Sequence, residues 1–182
     1  MSSHLPILLT LLLASTLAGA QPTDPKPKKV KLPPEQRFLL SVREKMGVTD
    51  DAEWALLAPR VTKVALITRH VRDAREAERA LEGKLFRMPT PQNPDDPPAV
   101  VYPAQTQAAM ANLAELGAAL KAELDNPDAR AADIGSRLAA FRRARADVDR
   151  MLSAELARAR EHLRELLTPK QELALIARGL LD

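Results

Sequence analysis

No cysteine occurs anywhere in this 182-residue chain. Thiol catalysis, zinc–thiolate sites, iron–sulfur clusters and disulfide staples are therefore excluded, and any stability must come from packing. Glycine is scarce as well, with six residues. No glycine-rich phosphate loop, dinucleotide fingerprint or GxSxG nucleophile elbow appears. Aromatics are few, at one Trp, one Tyr and three Phe. No stretch longer than about five residues alternates apolar and polar as a half-buried strand does. Carboxylates are plentiful, but they alternate with arginine in the way of solvated ion pairs, not of an acid/base dyad held in a pocket. These absences point to an all-α protein that is not an enzyme and needs no cofactor.

What is present begins with an export signal at residues 1–20. Leu5–Ala20 is almost wholly apolar, short for a membrane span, and closes on Ala18-Gly19-Ala20 before the polar shift at Gln21. Its departure from type is the leading segment, where only the amino terminus and His4 can supply positive charge. Cleavage after Ala20 is the expectation, with an uncleaved anchor as the alternative. No cysteine follows the small residues, so a lipoprotein is excluded. Residues 21–34, QPTDPKPKKVKLPP, form a Pro/Lys-rich linker. Lys26, Lys28, Lys29 and Lys31 against Asp24 account for the whole formal charge of +3, so residues 35–182 carry no net charge. Such a tail could touch anionic lipid or wall polymer, although spacer is its commoner meaning.

Residues 35–182 read as a helical domain. Phe38, Leu39, Val42 and Met46 share one side of a short helix that Gly47 stops. Asp50 or Asp51 caps a second helical region reaching about Leu85, with Trp54, Leu57, Val61, Val64, Thr68, Val71, Leu81 and Leu85 at three/four spacing. Pro59 either kinks that helix or separates two. Trp54 reads as core. Residues 86–103 hold six prolines and form an exposed loop, whose Val100, Val101 and Tyr102 either pin its end to the body, the preferred reading, or mark a peptide-like contact segment. Ala104–Leu124 is a third helix, with Met110, Leu113, Leu116 or Gly117, Leu120 and Leu124 along one side.

Asp128–Leu167 is the organising stretch, one long amphipathic helix. Its coiled-coil-like seam runs Ile134, Leu138, Phe141, Arg145, Val148, Leu152, Glu155 or Leu156, Ala159, Leu163 and Leu166, with a stutter near Leu156. Forty helical residues would span about 60 Å, so the body is expected to be elongated. Asp133–Arg137, Arg143–Asp147 and Arg145–Asp149 are four apart and set to pair on the solvated face, which argues against a nucleic-acid role. The helix ends in LTPKQ. Thr168 is placed as N-cap, Pro169 as first helical residue and Gln171 as the return arm of a capping box. Leu167 would fill the corner, and Leu173, Leu175, Ile176, Leu180 and Leu181 make a short closing helix apolar. The expected architecture is an elongated antiparallel helical hairpin or bundle, with one long C-terminal helix followed by that short one.

Two histidines lie beyond the signal. His70 with Asp73 and His162 with Glu165 are weak candidates for a divalent metal, alone or across a dimer, since a third ligand is missing from their register.

LTPKQ at 167–171 resembles the LTxxQ signature of the Spy/CpxP group of periplasmic stress proteins. LPPEQ at 32–36 resembles a degenerate second copy that keeps Leu32 and Gln36 but has Pro33 in place of the threonine. The stretches 43–64 and 167–182 also resemble exported LTxxQ-like proteins. The resemblance implies a helical-hairpin body, often an antiparallel dimer, that binds unfolded proteins without ATP or monitors envelope stress. On it rests the expectation of a periplasmic protein whose partners are unfolded clients, an envelope regulator or a second copy of itself. A metal-responsive sensor and a structural helical spacer are the alternatives.

Overall fold

The computed structural model describes residues 32–182 apart from 77, 78, 80, 82–84, 87, 89–99 and 129. The expected signal, most of the linker and most of the Pro-rich loop lie outside the described residues. Those described form α1 (Pro34–Met46), α2 (Asp51–Arg75), α3 (Ala104–Leu124), α4 (Ala131–Arg164) and α5 (Pro169–Ile176), with no strand among them. The fold is all-α. The five helices belong to one unit, Leu32–Asp182.

α4 is the spine. Its 34 residues span about 51 Å, shorter than the forty expected. At its start Arg130 is still extended (φ −80°, ψ 137°). At its end the bonds Leu166 N–H to Leu163 C=O and Leu167 N–H to Arg164 C=O tighten the last turn. Phe141, Ala144, Val148, Leu152, Leu156, Ala159 and Leu163 are its buried residues. The seam therefore chooses Leu156 over Glu155, and Ala144 takes the place expected for Arg145, which is half-buried at the edge. A guanidinium buried alone would be costly, whereas alanine loses nothing there. Leu166 is 45% exposed and lies off the seam.

α2 and α3 both pack antiparallel on α4. Arg75 at the end of α2 bonds Asp149 at 2.8 Å, and Glu53 at its start meets Gln171 just past α4. Glu123 near the end of α3 pairs with Arg137 at 3.0 Å. None of the three expected pairs within α4 forms. Arg137 and Asp149 are taken by neighbouring helices, and Asp133 and Asp147 pair three residues away with Arg130 and Arg150. Fully buried Leu113, Leu152 and Leu163 hold the layers together, each removing about 1.5–3 kcal/mol of side chain from water.

α2 departs from expectation in three ways. It runs unbroken through Pro59. The lost N–H frees one carbonyl, while buried Leu57, Val61 and Val64 hold the flanking turns in the core. Its continuous run ends at Arg75, where Glu76 turns out of helical geometry (φ −90°, ψ 94°), and the described Arg79 and Leu81 beyond it are helical again. Its burial is also wider than one seam: Leu66, Ile67, His70, Asp73 and Ala74 are buried too, as α2 meets α1 on one side and α4 on another. Asp50 is its cap, accepting from Ala52 N–H at 3.0 Å. Trp54 is half-buried, with the Arg43 guanidinium 5.9 Å from its ring centroid. In α3 Gly117 is buried, with Met110, Leu113 and Leu120, while Leu116 is half-buried and Leu124 exposed. Val100 and Tyr102 pin the chain to the body as expected, while Val101 is exposed.

α1 and α5 close the other end against each other. Each is stopped by a glycine at positive φ, Gly47 (68°) and Gly179 (67°). The next residue's N–H reaches back to Arg43 C=O or Leu175 C=O, as in a Schellman turn, and buries Val48 or Leu180. Leu180 and Leu181 are thus buried beyond α5, not within it, and Leu173 is 66% exposed. Arg160 donates to Leu180 C=O and pairs with Asp182, and Arg164 bonds Asp182 and Glu172, so two arginines one turn apart hold this tail on α4.

Candidate functional site

The LTPKQ corner is built as a structural joint. Thr168 sits in extended geometry (φ −73°, ψ 156°) ahead of Pro169. Its N–H donates to Gln171 Oε1 at 2.9 Å, and Gln171 N–H reaches Thr168 Oγ1 at 3.4 Å, completing a capping box. Leu167 is half-buried against the core. Gln171 does more than cap. It is 7% exposed, and its Nε2 donates to Glu53 Oε1 on the first turn of α2 at 2.6 Å. One amide therefore serves α5 and locks it to α2. Glu53 is 118 positions away, and no local signal could have named it.

The LPPEQ copy has no such joint. Pro33 precedes α1 without a side-chain cap, Leu32 is 42% exposed and Gln36 is half-buried.

The two histidines occupy opposite environments. His70 is fully buried, its Nδ1 2.8 Å from the Tyr102 hydroxyl and its ring edge-on to Phe86 at 5.7 Å. Burial, and then the charge of Glu155, push the Tyr102 hydroxyl well above its ordinary range, with Arg69 opposing. Asp73, the proposed second ligand, is buried and gives its carboxylate to Arg79 at 2.9 Å. His70 is thus a core residue that pins the end of the Pro-rich loop. Leu66 and Ile67, one turn earlier on the same face, are the signal that marks it so. His162 is exposed and shares a cleft with Arg60 and Lys63, whose charges repel a cation. No three His, Asp or Glu side chains cluster as a metal site among the described residues.

An open groove of about 360 Å³ lies between α1 and α2. Phe38 and Leu39 form one wall, Ala65 and Leu66 the other, and Glu35, Arg69 and Arg72 stand around them. It stays open because α1 leans lightly on α2 and is held mainly by α5. The spacing of Phe38 and Leu39 ahead of Val42 and Met46 signals it: the apolar stripe of α1 is wider than one seam needs. Its walls offer mainly apolar contact.

Comparison with protein-family models, with curated proteins and with solved structures finds no match to this chain.

Proposed function

We propose that this chain is an exported, non-enzymatic protein-binding factor of the Spy/CpxP-like kind, acting in the periplasm on unfolded segments of other proteins. The observation that carries the reading is the open α1–α2 groove, apolar on both walls and about 360 Å³ in volume. That size is at the lower end of ligand clefts, enough for a few apolar side chains. The occupant is a short apolar segment, which matches the apolar walls of the groove. A contact so small binds weakly and releases without ATP.

The test mixes residues 21–182 with a chemically denatured client at stoichiometric ratio, without ATP. Suppressed aggregation that Leu39→Asp and Ala65→Glu abolish supports the groove. Absence of suppression returns the choice to a helical spacer or a metal sensor. The sensor reading draws no support from His70, which is buried against Tyr102. Zinc, copper and nickel titration with His70→Ala and His162→Ala would decide it.

A further inference from the structure

A second cleft, of about 330 Å³, lies where α2 meets the end of α4 and is lined by Pro59, Arg60, Lys63, Ala159 and His162. Arg60 and Lys63 are one turn apart on α2, and His162 faces them from α4. Three of the five lining side chains can carry positive charge and none is a carboxylate. The body is neutral overall, and Arg43, Arg75, Arg137, Arg160 and Arg164 are engaged in ion pairs. Among the described residues no ion pair engages Arg60, Lys63 or His162. Arg60 Nη1 donates to Leu56 C=O at 2.7 Å, which orients the guanidinium and leaves its other N–H donors for a ligand. Of the acids beside His162 on α4, Glu161 turns to Arg164 at 3.9 Å and Glu165 is exposed.

We propose that this cleft binds a phosphomonoester group. The two fixed charges of Arg60 and Lys63 match the charge of about −1.5 to −2 that such a group carries. The guanidinium offers a planar fork to phosphate oxygens and the ammonium a compact charge. His162 adds an N–H donor in either protonation state. Binding here is independent of the α1–α2 groove, and neither reading needs the other.

The shared chemistry has two sources, a free phosphate ester and a lipid headgroup such as phosphatidic acid. Phosphorus NMR with inorganic phosphate and flotation with phosphatidylcholine vesicles, with and without phosphatidic acid, separate them. At low ionic strength the purified protein is expected to bind at least one probe. Arg60→Gln and Lys63→Gln each weaken binding about tenfold, the double variant about a hundredfold, and Arg142→Gln has no effect. Circular dichroism checks that each variant stays helical; His162→Gln, an exposed change, replaces any that does not and must also weaken binding. Binding of phosphate alone identifies a free ester, and binding of the doped vesicles alone identifies a headgroup. Failure to bind either probe, or equal binding by the double variant, overturns the proposal.

Discussion

Gln171→Ala separates a local cap from a tertiary lock. The substitution removes the acceptor for Thr168 N–H at 2.9 Å, worth about 1 kcal/mol as a neutral bond. It also removes the donor to Glu53 at 2.6 Å, a bond to a charged group worth about 1.5–3 kcal/mol. The expected loss is about 2.5–4 kcal/mol. At the scale of a 150-residue domain that lowers Tm by about 5–15 °C. Thr168→Ala removes only a long 3.4 Å contact and should cost about 0.5–1 kcal/mol. The assay is urea unfolding followed by circular dichroism, run as a cycle with Glu53→Ala. A coupling of about 1–2 kcal/mol between Gln171 and Glu53 is expected. Additive single and double variants, or a Gln171→Ala loss no larger than that of Thr168→Ala, would refute the lock and leave Gln171 as a cap alone.

Tyr102→Phe should cost about 1–3 kcal/mol, because it removes the partner of a fully buried His70 nitrogen; unchanged stability would mean that the ring alone pins the loop end. The same hydroxyl makes an alkaline prediction. Its folded-state pKa is raised above 10.0, so the stabilisation is complete below that pH and is lost as pH rises through the folded value. Ultraviolet titration of the single tyrosine should show ionisation coupled to unfolding, and a titration near pH 10 in the folded protein would contradict it. Leu152→Ala should cost about 2–5 kcal/mol, whereas Leu166→Ala, at 45% exposure, should stay within about 0.5 kcal/mol. Similar losses at the two sites in denaturant unfolding would place the α4 seam wrongly.

The joint at 167–171 was readable from the chain because every part of it is local. Thr168, Pro169 and Gln171 lie within one helical turn, and capping depends on backbone geometry that those residue types impose wherever they occur. The same locality made the glycine stop at Gly47 legible, and narrowed the next cap to Asp50 or Asp51, of which the structure uses Asp50. Two of the three ion pairs expected within α4, Asp133–Arg137 and Arg145–Asp149, failed for the complementary reason. A charged side chain at four-residue spacing gains only a few tenths of a kcal/mol from its neighbour, so Arg75 and Glu123 on other helices outbid it. His70 stood in the sequence only as a weak metal candidate, and its full burial came from a helix covered on two sides, by α1 and by α4, where the chain was read as one seam.

Composition and periodicity by themselves determined that this protein is helical, that Gly47 stops its first helix and Thr168 caps its last, and that a long helix and a short one close it. Those properties follow from backbone geometry and from apolar spacing over a few turns. Only the tertiary structure decided which faces meet: Gln171 on Glu53, His70 on Tyr102, Arg60 and Lys63 beside His162, and an open groove where α1 leans lightly on α2. Each is a contact between residues far apart in the chain, set by how three or more helices pack at once, and no local free energy encodes it.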